Sequence, residues 1–296
     1  MRIAFLGMDG PLSIEALRAV ARREEVVAIA RPAIATGQPT LRGRIGRTAR
    51  ALGLRRGSPL AGVGREIGTR VTTLGHRSDP ALASLLRASR PDLLCVASFP
   101  WLLAPETYSL ARLGAINVHA ALLPRHRGPL PLFWIYHADD RETGVTVHWM
   151  SEQADAGDIM FQSSFPLPRA LPVEDLNRRN AAVAGPLLGR ALEAIAAGDP
   201  PRVAQDESRA TAAPFVRAGT PMVAFDSWGA ERTWHFLAGL YPRFIEPLRD
   251  DRGDALVYRG VHGFSIESHC RVPGTVERAG KGARLFCRDG FVQLET

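Results

Sequence analysis

The first 119 residues alternate between short apolar runs and segments of helical period, and that alternation constrains the fold more than any other feature of the chain. Residues 2–7 (RIAFLG) are apolar and closed by glycine; residues 11–23 (PLSIEALRAVARR) then set Ile14, Leu17, Val20 and Ala21 at helical spacing. A second apolar run covers 25–30 (EVVAIA), a helical segment over 79–89 precedes a third at 92–98 (DLLCVAS), and 114–119 (GAINVH) gives a fourth. Strands separated by helices pair in parallel, since a parallel partner is reached only through a crossover, and the crossovers cover both faces of the sheet. The class is α/β, and ligands of such sheets collect beyond the carboxyl ends of the strands.

Two β-rich runs follow, 144–150 (GVTVHWM) and 158–167 (DIMFQSSFPL), then a helical segment from Pro172 to about Gly198. Prolines and small polar residues over 199–222 read as a linker. Residues 227–240 (SWGAERTWHFLAGL) look helical, and the short runs after Asp254, separated by glycines, suggest a small β-barrel. The expected organisation is a large domain over 1–198, a linker over 199–222 and a small domain over 223–296, which a chain of 296 residues accommodates.

Composition narrows the function classes. No apolar run reaches the roughly 18 residues that a membrane span needs, and the opening MRIAFLGMDG has no signal-peptide pattern, so a cytoplasmic location without membrane contact is expected. Cys95, Cys270 and Cys287 are widely spaced with no CxxC pair, which suggests neither a metal site nor a disulfide framework. The net charge of +7 points toward polyanions, yet of the 37 basic residues only Lys281 is lysine, and ten arginines against the single acid Glu66 fall between Arg31 and Arg77. Gly7 and Gly10 lack the further glycine of a dinucleotide fingerprint, and no acid closes the second strand to hold a ribose.

Chemistry concentrates at the fourth strand. In INVHAALLP (116–124), Asn117 and His119 stand two residues apart at a strand end, and DAGDI (155–159) supplies Asp155 from a glycine-containing loop. A carboxamide can donate to an oxygen on which charge develops, a carboxylate can orient an imidazole, and the imidazole can polarise a carbonyl or carry a proton. With no Ser or Cys nucleophile in a recognisable elbow, the set fits attack by an amine on an activated carbonyl without an acyl-enzyme.

The segments GAINVHAALLPRHRGPLP (114–131) and ETGVTVHWMSEQADAGDIM (142–160) closely resemble the formyltransferases that use 10-formyltetrahydrofolate, a family acting on methionyl-tRNA and on amino-sugar nucleotides. The resemblance covers residues 1 to about 198. It implies a Rossmann-like, mostly parallel sheet, and more weakly a small C-terminal open β-barrel of OB-like type. It also implies that Asn117, His119 and Asp155 are catalytic, and that the formyl donor lies along Trp101, Leu102 and Leu103 and along Met150, Ser151, Glu152, Gln153 and Ala154. Ala121 stands where many members carry serine, which removes a turn hydroxyl but no member of the triad. The acceptor is open between a primary amine on a small metabolite, which RGPLPLFW (127–134) favours, and methionyl-tRNA, which the arginine-rich stretch favours. Hydrolysis of the formyl donor and folate binding without turnover are the further alternatives.

Overall fold

The computed structural model describes residues 1–33, 57–280 and 282–296. Six of the ten arginines of the arginine-rich stretch, Arg42, Arg44 and Arg47 among them, therefore lie outside the described residues. The described residues form two units: one comprises Met1–Pro131, Thr143–Phe165 and Asn177–Pro214, the other Leu132–Glu142, Pro166–Leu176 and Phe215–Thr296.

The first unit is built on a seven-stranded sheet. Its strands are β1 (Arg2–Gly7), β2 (Glu25–Pro32), β3 (Val71–Leu74), β4 (Leu93–Ala97), β5 (Ala115–His119), β6 (Glu142–Trp149) and β7 (Ile159–Pro166), in the order β3-β2-β1-β4-β5-β6-β7. Strands β1 to β5 pair in parallel with one another, and β6 pairs antiparallel to β5. This is the Rossmann-like, mostly parallel sheet anticipated above. Ile3 to Leu6 of β1 and all of β4 are buried, as a strand covered on both faces requires.

The helices between these strands start where local chemistry dictates. Each of Pro11–Ala21, Pro59–Glu66 and Pro80–Ser89 opens on proline, whose missing N–H would have no helical partner there. Ser58 and Asp79 cap the latter two by accepting from the Ala61 and Ala81 amides at 3.1 and 2.9 Å. Buried Ser13 donates to the Ala97 carbonyl at 2.6 Å and accepts from the Met8 amide at 3.0 Å, which ties the ends of β1 and β4 together. These two strands flank the point where the strand order reverses.

In the second unit, strands β8 (Gly260–Ile266), β9 (Val276–Ala279), β10 (Gly282–Cys287) and β11 (Gly290–Glu295) make an antiparallel sheet in the order β8-β11-β10-β9. The helix Ala230–Leu240 packs on it, its first free amide capped by Asp289. Phe133, Trp228, Phe236 and Phe244 stack edge to face in the core of this unit. No helix among the described residues is long and apolar enough to cross a membrane.

One close approach fixes the outer part of the large sheet. A Cβ on Gly144 of β6 would overlap the Ser163 carbonyl oxygen of β7. Gly144→Ala should therefore destabilise the chain by about 1–3 kcal/mol, as overpacking does. Urea unfolding measures this, and an unchanged midpoint would mean that the two strands can separate at no cost.

Candidate functional site

Antiparallel register between β5 and β6 sets Asn117 opposite His148 and His119 opposite Thr146. Side chains alternate faces along a strand, so these four project from one side of the sheet. The loop after β6 brings Asp155 to the same place. Gly157 holds this loop close, because a Cβ there would overlap the Trp149 carbonyl, while the Trp149 amide donates to the Asp158 carbonyl at 2.9 Å.

Asp155 is met on several sides. Its Oδ1 accepts from Asn117 Nδ2 at 3.0 Å and lies 3.5 Å from His148 Nε2; its Oδ2 accepts from the Gly128 amide at 2.8 Å and lies 3.6 Å from His119 Nδ1. Gly128 has φ 127°, and a Cβ there would sit 2.8 Å from the Ala213 carbonyl oxygen, so only glycine offers its N–H in this way. Asp155 itself adopts φ 52°, a left-handed conformation that costs a non-glycine residue roughly 1 kcal/mol and that aspartate tolerates better than most. Burial pushes its carboxyl pKa up, but the polar groups that meet it, the Gly128 N–H among them, outweigh burial and hold it well below the usual carboxylate range.

The two histidines are distinguished by their partners. His148, 1% exposed, has Nδ1 2.8 Å from the Trp149 carbonyl, which assigns the proton to that nitrogen and leaves Nε2 to accept from Asn117 Nδ2 at 3.2 Å. Both amide hydrogens of Asn117 are thereby engaged. His119 has Nε2 2.8 Å from the His126 carbonyl. Burial lowers its pKa, and the Asp155 charge opposes this without reversing it. The ring is therefore neutral, with its proton on Nε2 and Nδ1 turned toward Asp155 beyond hydrogen-bond length.

The formyl transferase sequence profile matches residues 1–192 of this chain. Over 300 residues the chain is 37% identical to the methionyl-tRNA formyltransferase of Anaeromyxobacter dehalogenans strain 2CP-C, an alignment covering 100% of this chain and 91% of that one. The chain belongs to the formyl transferase family.

Formyl transferases of known structure share the fold at low identity. The sugar 3N-formyl transferase WlaRD, solved in the presence of dTDP and 5-N-formyl-THF, matches with a TM-score of 0.69 at 12% identity, over 100% of this chain and 97% of that one. The N-formyltransferase of Helicobacter canadensis, in complex with folinic acid and dTDP-3-aminofucose, matches with a TM-score of 0.70 at 13% identity, over 99% and 98%. The methionyl-tRNA formyltransferase of Moorella thermoacetica is 33% identical over 201 residues, 62% of this chain and 64% of that one.

Within this formyl transferase, the two segments expected to line a donor cleft meet at one apolar cluster. Leu103 is buried in it, and Trp101 and Met150 pack against it from the two segments. Leu102 is exposed, Ser151 half-buried, and Glu152, Gln153 and Ala154 exposed. His148 is a site residue that the sequence reading passed over. Its signal is the spacing of Thr146 and His148, two polar residues on one face of an otherwise apolar strand.

The Asp155 geometry has a consequence for pH. A carboxylate whose pKa is depressed on folding contributes stability in full above its unfolded value of about 3.9, and that contribution fades as pH falls toward the lower folded value. Asp155→Asn should be less stable than wild type by a constant margin from about pH 6 to 8, and the margin should close below about pH 4. Urea unfolding across this range gives the margin. A margin that widens on acidification would show that Asp155 is not held as the anion.

Proposed function

We propose that this formyltransferase moves a formyl group from 10-formyltetrahydrofolate to a primary amine on a small metabolite, with Asn117, His119 and Asp155 as the catalytic residues. The observation that carries the reading is the Asp155 carboxylate, which joins the carboxamide of Asn117, the imidazole of His119 and the Gly128 amide in one buried cluster. In the reaction the amine nitrogen bonds to the formyl carbon, the bond to the donor nitrogen breaks, and one proton passes from the amine to the donor nitrogen.

Each side chain has a part that its position allows. Asn117 donates to the formyl oxygen as negative charge develops there; the longer of its two hydrogen bonds, to His148, is the one a substrate oxygen replaces. His119 is neutral and takes up the proton at Nδ1, where Asp155 stabilises the resulting cation. Trp101 and Met150 offer an apolar ledge for an aromatic ring of the donor, beside the exposed residues 152–154. No metal is assigned a part. We read the antiparallel sheet of β8 to β11 as an OB-like open barrel at the end of the chain.

A small acceptor is supported by one of the two arginines on the turn after β5. Arg127 is committed to Glu207 and Gln205, so it is not available to a polyanion at this site. The fold's likeness to enzymes of amino sugars agrees. Methionyl-tRNA is the second reading, and the 37% identity to a methionyl-tRNA formyltransferase favours it.

Two experiments test these statements. Asn117→Ala, His119→Ala and Asp155→Ala should each lower turnover about 100-fold or more with circular dichroism unchanged; near-normal rates in any two would remove the proposed site. An amine screen with 10-formyltetrahydrofolate, following release of tetrahydrofolate, identifies the acceptor. The best amine and charged initiator tRNA are then compared at low and moderate salt. Phosphate contacts give a log-log slope of magnitude about 0.7–0.9 each, so a small acceptor predicts a shallow dependence. Fast, steeply salt-sensitive formylation of tRNA that collapses when Arg42, Arg44 and Arg47 become serine would promote the second reading.

A further inference from the structure

The segment from Pro201 to Ala213 is laid along the candidate site as a strap. Arg202 stacks 4.1 Å over the Trp149 ring, and Val203 pairs by backbone with Ile159 in both directions, at 2.8 and 3.0 Å. Further on, the Thr211 hydroxyl accepts from the His126 amide at 2.8 Å, and Ala213 bonds through its amide to the Arg127 carbonyl. The strap thus touches both loops that complete the site: the one after β5, which carries the His126 carbonyl and the Gly128 amide, and the one after β6, which carries Asp155.

Gln205 sits where these two loops meet. Its Nε2 donates to the Asp155 carbonyl at 2.8 Å and to the Gly157 carbonyl at 2.7 Å. Its Oε1 accepts from Arg127 Nε at 3.0 Å and Nη2 at 2.8 Å. The carboxamide is therefore saturated, with two donors and one acceptor oxygen all engaged. Glu207 fixes the far side of Arg127 through a bidentate pair at 2.8 and 2.9 Å. One side chain thus locks the backbone of the residue that holds a left-handed φ to the residue that neighbours the Gly128 amide.

We propose that Gln205 is a positioning residue for formyl transfer, setting the Asp155 carboxylate against Asn117, His119 and the Gly128 amide by clamping the backbone of residues 155–157 to Arg127. The proposal rests on the reading of Asp155 as catalytic. Gln205 touches none of the reacting groups, so its effect passes through Asp155. Loosening the clamp leaves the carboxylate free to drift from its partners, and a displacement of about 1 Å at a positioned group lowers rates by as much as 100-fold.

The test uses the full chain and the best acceptor of the amine screen. Gln205→Ala removes the clamp; Gln205→Glu keeps the size and the acceptor for Arg127 but replaces the two donated hydrogen bonds by an oxygen facing two carbonyls. Both should lower kcat about 10- to 100-fold with KM changed less than about twofold, and shift the acid limb of the kcat profile, which follows His119, to lower pH as the Asp155 charge that raises its pKa drifts away. In an Asp155→Asn background, which lacks the group being positioned, the same substitutions should change kcat by less than about twofold. Wild-type kcat in Gln205→Glu, or an equal loss in both backgrounds, would overturn the proposal. If Gln205→Ala does not fold, Gln205→Glu decides; failure of both to fold would make Gln205 a part of the scaffold and overturn it too. Full turnover in Asp155→Asn would instead bring down the reading on which the proposal rests.

Discussion

A carboxylate withdrawn from water must be met by donors, and around Asp155 that requirement fixes three stretches of chain at once. The end of β5 supplies Asn117 and His119, the turn after it supplies the Gly128 amide, and the loop after β6 supplies the carboxylate and the left-handed backbone that aims it. Removing one partner of a buried charge commonly costs 3–5 kcal/mol, because the remaining charge is left uncompensated. The site is therefore rigid for the same reason that it is polar. An imidazole whose pKa burial lowers thus stands beside a carboxylate held well below its usual range.

The sheet makes this possible through register. Asn117 and His148 face each other across β5 and β6, as do His119 and Thr146. A slip of β6 by one residue would turn Thr146 and His148 to the opposite face, away from Asn117 and His119. Thr146 also works behind the site. Its hydroxyl donates to the Ala121 carbonyl at 2.7 Å and accepts from the Leu123 amide at 3.2 Å and from Gln162 Nε2 at 2.9 Å. The turn that follows His119, where Ala121 offers no side-chain oxygen, is thus braced from the neighbouring strand.

Legibility in the sequence followed burial. Strands β1, β2, β4 and β5 read off as apolar runs to within two residues at either end, because strands buried on both faces must be continuously apolar. Strand β3 escaped: Val71–Leu74 is four residues long at the sheet edge, and its Thr72 and Thr73 break any apolar run. Near the C-terminus, the run 255–260 contains only the two-residue strand Ala255–Leu256, paired with Leu248–Arg249, whereas the four runs after it join in one sheet. Asn117, His119 and Asp155 stood out in the sequence as polar groups at a strand end and in a neighbouring glycine-containing loop, and the structure brings the three side chains together. Gln205 did not, since its meaning lies in bonds to residues 48 and 50 positions earlier, and prolines beside it suggest only a connection.

The second unit is assembled from three separate stretches of chain, two of which lie inside the span of the first. Phe133 and Tyr136 belong to one of these stretches, and their partners Phe236 and Gly239 come some hundred residues later. A chain cut near residue 200 would keep those aromatic side chains but lose what covers them, and would lose the strap as well. Recombination between relatives meets the same obstacle. A crossover at the end of the long helix Val173–Ala196 exchanges the covering half of an aromatic core together with a segment that braces the site, so hybrids survive only where both change together or neither does. The connectivity thus makes the two units inherit as one.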